Sequence, residues 1–216
     1  MSMLEKLAYK ISAWNRKRKW DLFNKEIAPK NSDTILDVGF TNTEYSDTDN
    51  YLEKNYSFKN KITALGVGDS YVDFSKRYPE VEVILYDGGI FPFDDKHFDI
   101  VWSNAVIEHV GNRKKQITFL KELHRVGKKV FFTTPNKFFP VEVHTRIPLL
   151  HILLGKKQFD WFLKIINKKW ARGDYMNLSS KKDLVGMLES CDVKKYSIIK
   201  NRFFGFVIDF VVIINN

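Results

Sequence analysis

The sequence contains a single cysteine, Cys191, in 216 residues. One thiol cannot form an internal disulfide, and it cannot supply the several thiolates of a zinc or iron–sulfur site. This cysteine falls late in a predicted helix, on its apolar face, where a thiol is a poor nucleophile. We therefore expect no structural metal, and a chain that works in the reducing environment of the cytoplasm.

Long hydrophobic runs are also absent. The longest, Phe203–Ile214, is interrupted by Gly205 and Asp209 and is shorter than the about 20 residues that span a bilayer. Charged residues interrupt the first part of the chain, so we expect no secretory leader. The hydrophobic content of 44% and the aromatic content of 15% instead predict a folded chain with a substantial core. We interpret residues 1–216 as one domain.

Acidic residues are in the minority: 26 Asp and Glu stand against 35 Lys and Arg, giving a formal net charge of +9. A positive surface suits nucleic acid, an anionic membrane surface or an acidic substrate, and solvated lysines alone give the same charge. Leu4–Phe23 carries apolar residues at helical spacing among basic ones, which predicts a basic amphipathic helix within residues 1–30. This helix either covers one face of the domain or lies on a membrane surface.

Three predicted strands end in acids and glycines. The strands are the apolar runs Thr34–Gly39, Ile62–Val67 and Val81–Tyr86. Their ends carry Asp37 and Gly39, then Gly68 and Asp69, then Asp87 and Gly88. The carboxyl ends of parallel strands lie along one rim of a sheet, so we expect these acids to line a single ligand-binding crevice.

Strands and helices alternate through most of the chain, which predicts an α/β fold with a parallel sheet. Further strands are predicted at Phe98–Ser103 and Lys129–Thr134, and helices at Asn50–Tyr56, Tyr71–Tyr78, after the capping residue Asn112, and at Ser180–Cys191. The last two strands, Val193–Ile199 and Phe206–Ile214, are joined by Asn201–Gly205. That connection is too short for a crossover helix, so we expect an antiparallel pair.

Residues 135–178 break this alternation, and we interpret them as an insertion, partly helical, over the rim of the sheet. The stretch is basic and aromatic, with Lys156, Lys157, Phe159, Trp161, Phe162, Lys164, Lys168, Lys169, Trp170 and Arg172. We favour a lid whose aromatic side chains pack on the core. Such a stretch also suits RNA, through phosphate contacts and stacking, or a bilayer surface.

Four stretches together carry a family signature. Ile35–Gly39 reads I-L-D-V-G; Asp87 and Gly88 precede Phe91–Phe93; Phe98–Val101 precedes Asn104–Val110, N-A-V-I-E-H-V; and Thr133–Asn136 reads T-T-P-N. They resemble the first motif, the "D-x-x-x-L-P-F" stretch, the fourth-strand signature and the fifth-strand exit of class I S-adenosylmethionine-dependent methyltransferases of type 11. The resemblance runs from about Thr34 to Asn136.

The resemblance implies a Rossmann-like, doubly wound sheet of seven strands, mostly parallel with an antiparallel final strand, and S-adenosylmethionine as the cofactor. It implies roles for the strand ends. Asp37 and Gly39 would lie against the methionine part of the cofactor, Asp87 and Gly88 would bound the adenine, and Asn104 and Ala105 would sit by the sulfonium. Asp69 would hold the ribose hydroxyls, one position later than is usual.

The sequence departs from the family pattern in its glycine-rich turn. Phe40, Thr41 and Asn42 follow Gly39 where further glycines are usual. We expect this change to bear on cofactor affinity more than on the fold. The dinucleotide fingerprint G-x-G-x-x-G is also absent, which argues against NAD as the ligand.

Methyl transfer requires a positioned acceptor and the exclusion of water, and a hydroxyl acceptor benefits from a base. His109, after the fourth strand, and His144, in the insertion, are the candidate bases, because imidazole titrates near neutral pH. The sequence has no N-P-P-Y run, which argues against methylation of base amino groups. The placement of Cys191 argues against methylation of a pyrimidine carbon.

We therefore predict an S-adenosylmethionine-dependent methyltransferase that acts on a small-molecule or sugar-containing acceptor, at oxygen. Its partners would be that acceptor and, peripherally, a membrane surface, with nucleic acid less favoured. Two alternatives stay open: an RNA methyltransferase, and a non-catalytic scaffold that keeps the fold without the cofactor.

Overall fold

The computed structural model of the chain describes residues 3–68, 70–141, 154, 156–165 and 176–216. The chain divides into two compact units. Unit 1 comprises the residues up to Trp102 together with Val126–Phe131, and unit 2 comprises Ser103–Arg125 and Phe132–Asn216. The single domain expected over residues 1–216 stays a prediction.

Seven strands form one sheet. They are β1 (Ile35–Val38), β2 (Ile62–Gly66), β3 (Glu82–Leu85), β4 (Phe98–Asn104), β5 (Gly127–Pro135), β6 (Tyr196–Phe203) and β7 (Phe206–Asn215). Their order in the sheet is β3-β2-β1-β4-β5-β7-β6. β1 pairs in parallel with β2 and β4, β2 pairs in parallel with β3, and β6 and β7 are antiparallel. The predicted fold class, a mostly parallel seven-stranded α/β sheet with an antiparallel final strand, is confirmed.

The helices of the described residues follow the predicted alternation. They are α1 (Met3–Glu26), α2 (Tyr51–Asn55), α3 (Val72–Arg77), α4 (Arg113–Val126), α5 (Lys156–Ile165) and α6 (Lys181–Ser190). Both predicted caps are present. The Asn112 side chain accepts a hydrogen bond from the backbone N–H of Lys115 at 3.2 Å. Ser180 and Asp183 form a reciprocal capping box at the start of α6.

The predicted position of β6 was wrong by several residues. The strand covers Tyr196–Phe203 rather than Val193–Ile199, and it pairs with β7 through Asn201. The turn is reduced to Phe204 and Gly205, whose φ angles of 46° and 82° suit a two-residue hairpin turn. Asn201 is a common turn residue, but here it is buried in the ladder, so its local preference gives way to strand pairing.

An aromatic cluster fixes α1 on the sheet of unit 1. Phe23 of α1 is fully buried, with its ring centroid 4.9 Å from that of Trp102 on β4 and 5.3 Å from that of Phe131 on β5. The rings of Trp102 and Phe131 stack on each other at 5.0 Å. The carboxyl-terminal part of α1 therefore covers one face of the sheet, as one of the two sequence hypotheses expected.

The core of unit 2 is built by two amphipathic helices. α4 buries Phe119, Leu120 and Leu123, and α6 buries Leu184, Met187 and Leu188. Arg113, at the start of α4, lies 3.3 Å from the Asp183 carboxylate of α6. These contacts join the two helices at their amino-terminal ends.

Part of the predicted insertion is helical. α5 buries Phe159 and Leu163, which pack with Leu154 and Met176, and it exposes Trp161. Residues 142–153, 155 and 166–175 of the predicted insertion lie outside the described residues, among them the candidate base His144.

Candidate cofactor site

The ends of β1, β2 and β3 lie side by side within unit 1. The backbone N–H of Gly39 donates to the carbonyl of Leu65 at 2.9 Å, and that of Tyr86 donates to the carbonyl of Gly66 at 3.0 Å. Gly39 has a φ of 102°, which favours glycine. Asp37 and Gly39 therefore lie at the end of β1, and Asp87 and Gly88 follow β3, on either side of the end of β2 at one edge of the sheet. The third acid of that set, Asp69, lies outside the described residues.

Asp37 is buried against a second acid, Glu53 of α2. Burial raises the pKa of Asp37 well above its ordinary value, and the nearby Glu53 carboxyl raises it further, while Arg16 of α1 lowers it. Burial raises the pKa of Glu53 as well. Two carboxyl groups close together in a site with little water cannot both be ionised cheaply. This end of β1 therefore favours a cationic ligand group.

The burial of Glu53 was not predicted from the sequence. Its neighbours in α2 include Lys54 and Asn55, and an acid in such a short polar helix is normally exposed. The structure instead buries it fully, and neither of its carboxyl oxygens accepts a hydrogen bond from an N–H or O–H group of the protein. No local sequence signal distinguishes this residue, because its burial depends on the fold around the end of β1.

Asp87 and Gly88 form an exposed turn after β3. The Oδ1 atom of Asp87 accepts a hydrogen bond from the backbone N–H of Gly89 at 2.8 Å. A Cβ atom at Gly88, where φ is 85°, would lie 3.6 Å from the Val67 side chain. Val67, the residue after β2, is 65% exposed. An apolar surface beside a carboxylate suits a flat ring that carries an amino donor.

The turn after Gly39 lacks the usual further glycines, and side-chain packing stabilises it instead. Phe40 turns into unit 1, where its ring centroid lies 4.5 Å from that of Phe74 on α3. A Cβ atom added to Gly66 would come within 2.6 Å of the Phe40 ring. The Phe40 side chain therefore requires a glycine at position 66, on β2. The bulky residue at position 40 is therefore a packing residue of unit 1.

Side chains brace the loop that follows Phe40. The amide of Asn50, which precedes α2, accepts from the backbone N–H of Thr41 at 2.9 Å and donates to its carbonyl at 2.9 Å. Glu44 accepts from the Tyr78 hydroxyl at 2.7 Å and pairs with Lys54 at 2.8 Å. Two helices, α2 and α3, thus hold a loop that glycines shape in the usual motif.

The residues predicted to lie by the sulfonium belong to unit 2. The Thr133 hydroxyl of β5 donates to the side-chain oxygen of Asn104 at 2.8 Å, and the backbone N–H of Ala105 donates to the carbonyl of Thr133 at 3.0 Å. Ala105 has a φ of 59°, an uncommon value for a residue other than glycine. Strained backbone of this kind is concentrated at functional sites.

The candidate base His109 follows Ala105 in the same unit. It ends the 3-10 turn Ile107–His109 and is exposed. Glu108, beside it, is fully buried and accepts from the Thr134 hydroxyl at 3.1 Å. Glu108 therefore anchors the turn to β5, and the exposed His109 follows the strained Ala105 by four residues.

Other chemistry is weakly supported by the described residues. They contain no group of three or more His, Cys, Asp or Glu side chains that could hold a metal ion. Burial raises the pKa of the Cys191 thiol to about 11, so the thiolate nucleophile is scarce near neutral pH. None of their helices combines the length and the apolar character needed to cross a membrane.

Comparison with known proteins shows which family part of this chain resembles. Residues 36–130 match the model of the type 11 methyltransferase domain family. A methyltransferase of Methanosarcina mazei that depends on S-adenosylmethionine has a similar fold, with a TM-score of 0.53, 16% identity and coverage of 87% of this chain and 94% of that one. The resemblance to class I methyltransferases of type 11 is confirmed, and it makes S-adenosylmethionine the cofactor.

Two curated relatives are similar over shorter stretches. The ubiquinone biosynthesis O-methyltransferase of Coxiella burnetii is 26% identical over 107 residues, 46% of each chain. The mitochondrial ubiquinone biosynthesis O-methyltransferase of Dictyostelium discoideum is 33% identical over 75 residues, 33% of this chain and 23% of that protein. The matched stretch thus spans less than half the length of either relative.

The residues of unit 1 fit such a cofactor. S-adenosylmethionine carries an ammonium group and a positive sulfur at its methionine end, and the buried acids Asp37 and Glu53 suit positive charge. Its other end is a purine with an exocyclic amine, which suits the exposed Val67 side chain and the Asp87 carboxylate. The donor set and the apolar surface therefore match the two ends of one ligand class.

Proposed function

We propose that this protein transfers a methyl group from S-adenosylmethionine to an oxygen atom of a small-molecule or sugar-containing acceptor. The observation that carries the proposal is the placement of Asp37, Gly39, Asp87 and Gly88 at the ends of β1 and β3, which flank β2, inside the matched region, 36–130. The two curated relatives, both named O-methyltransferases, support oxygen as the acceptor atom.

The strand ends bind the cofactor in this proposal. Asp37 attracts the ammonium group of the methionine part, and the backbone at Gly39 allows close approach. Asp87 accepts from the exocyclic amine of the adenine, which rests beside Gly88 and Val67. Asp69 binds the ribose hydroxyls, and Asn104 and Ala105 lie by the sulfonium.

The remaining catalytic task is to position the acceptor and to remove its proton. When bound, S-adenosylmethionine supplies a methyl group already activated by a positive sulfur. His109 is the proposed base in unit 2, because it is exposed and follows the strained Ala105 by four residues. His144, in the insertion, is the second proposed base.

The proposal is tested by calorimetric titration with S-adenosylhomocysteine. We expect Asp87→Ala to weaken binding about tenfold to a hundredfold, because a hydrogen bond to a charged group contributes about 1.5–3 kcal/mol. Asp94→Ala, which removes another exposed acid from the same region, is the matched control and should bind like the wild type. If the folded wild type does not bind S-adenosylhomocysteine, the proposed enzyme activity is contradicted and the alternative of a non-catalytic scaffold is favoured.

A further inference from the structure

Glu53 is a buried acid that the proposed cofactor contacts alone do not explain. Its side chain is fully buried on α2, and both carboxyl oxygens lack an N–H or O–H donor from the protein. An ionised carboxylate buried in this way, without a cation, is strongly unfavourable. A fold that retains this residue must therefore neutralise it by some other means.

The group that faces Glu53 is the carboxyl of Asp37, which is buried as well. Two carboxylates have four acceptor oxygens and no donor, so these two groups can hydrogen-bond to each other only when one of them keeps a proton. In that state the pair carries a single negative charge. Asp37 lies at the end of β1, where the proposed cofactor binds, whereas Glu53 on α2 acts through it.

The surrounding charges fit a pair with one negative charge. Arg16 of α1 is the cation that acts on Asp37. Glu44 and Lys54 act on Glu53, and these two residues form an ion pair at 2.8 Å, so their effects largely offset each other. Arg16 thus balances one negative charge on the pair, and a second requires a further cation.

We propose that Glu53 is a positioning residue that shares one proton with Asp37, and that a cationic amino-acid group bound at the end of β1 displaces this proton. The O–H bond between the two carboxyls breaks and the proton passes to solvent. The pair becomes doubly negative, balanced by Arg16 and the ammonium group of the ligand. The inference rests on the proposed function, since it concerns the same cofactor.

The first test measures proton release on binding. Wild type, Glu53→Gln and the control Glu122→Gln are titrated with S-adenosylhomocysteine at one pH near neutrality, in buffers that differ in ionisation enthalpy. Glu53→Gln keeps the side-chain size and can donate an amide hydrogen bond to Asp37. Glu122 is a buried acid of unit 2 that pairs with Arg125 at 2.7 Å.

We expect the heat of binding to depend on the buffer for wild type and Glu122→Gln, because a proton is released, and this dependence to be lost in Glu53→Gln. A wild type that binds without releasing a proton overturns the inference while leaving the proposed function intact. Equal release by Glu53→Gln also overturns it, because the proton then comes from another group.

The second test needs no ligand. Since the pKa values of Asp37 and Glu53 are raised in the folded state, that state binds more protons than the unfolded chain, and stability falls as the pH rises from about 4 through the raised pKa values. We expect Glu53→Gln to flatten this slope in thermal unfolding measured against pH. An unchanged slope overturns the shared proton. A folded wild type with the expected slope but no affinity for S-adenosylhomocysteine overturns proton displacement together with the proposed function.

Discussion

Asp99 contrasts with the pair of Asp37 and Glu53, because its contacts favour the ionised form of the acid. Its Oδ1 atom lies 2.8 Å from the Lys128 ammonium, and Oδ2 accepts from the backbone N–H of Thr34 at 2.9 Å and from its hydroxyl at 3.0 Å. The Lys128 hydrogen bond and the Thr34 contacts lower the pKa of Asp99. These bonds join the ends of β1, β4 and β5 inside unit 1.

We therefore expect Asp99→Asn to lower the free energy of unfolding by about 1 kcal/mol at neutral pH, because hydrogen bonds to a charged acceptor are lost. A lowered pKa stabilises the folded state above the ordinary pKa of an acid, and this contribution disappears as the pH falls through the lowered value. The difference between variant and wild type should then shrink in acid. Urea unfolding measured at several pH values checks this.

The control for this prediction is Asp192→Asn. Asp192 also pairs with a lysine, Lys194, but both side chains are more than 80% exposed, and exposed pairs contribute little. A loss of stability in Asp192→Asn equal to that in Asp99→Asn would show that the hydrogen bonds from Thr34 are unimportant.

At the scale of elements, β2 and the turn after β1 depend on each other. We expect Gly66→Ala to lower the free energy of unfolding by about 1–3 kcal/mol, because its methyl group would force the Phe40 ring from its place against Phe74. Gly186→Ala, in the exposed middle of α6 where no atom lies near, should instead stabilise by about 0.5–1 kcal/mol. Chemical unfolding measures both.

A Gly66→Ala variant as stable as the wild type would mean that the Phe40 ring has another place to pack. In that case the packing of Phe40 against Gly66 and Phe74 would not be what stabilises the turn after Gly39. The double variant Gly66→Ala with Phe40→Leu separates the two explanations, since the smaller side chain should recover part of the lost stability.

Elements with local signals were predictable from the sequence, and those fixed by distant contacts were not. The capping box of α6 needs only Ser180 and Asp183, which are close in sequence. The acids at the ends of β1 and β3 follow apolar runs that already predict strands. Asn201 pairs across the sheet with Asp209, and Glu53 is buried beside Asp37, through contacts that arise only in the folded chain. The positions of the strand-end residues in the sheet were therefore predictable, whereas the burial of Glu53 on a helix was not.

At the scale of the whole molecule, the net charge of +9 predicts attraction to anionic surfaces. We propose that α1 contributes to a peripheral membrane contact. Trp14 on this helix is exposed, and the Arg18 guanidinium lies 5.0 Å from the centre of its ring. An exposed aromatic side chain beside a cation suits the headgroup region of an anionic bilayer.

We expect the protein to sediment with anionic vesicles at low salt and to be released as salt is added, because screening weakens attraction between charges. Trp14→Ser should reduce sedimentation severalfold, whereas Tyr45→Ser, which removes a more exposed aromatic side chain outside α1, should not. Sedimentation that is equal for both variants would assign the attraction to net charge alone. Failure of the wild type to sediment would show that α1 only covers the sheet, where Phe23 already packs.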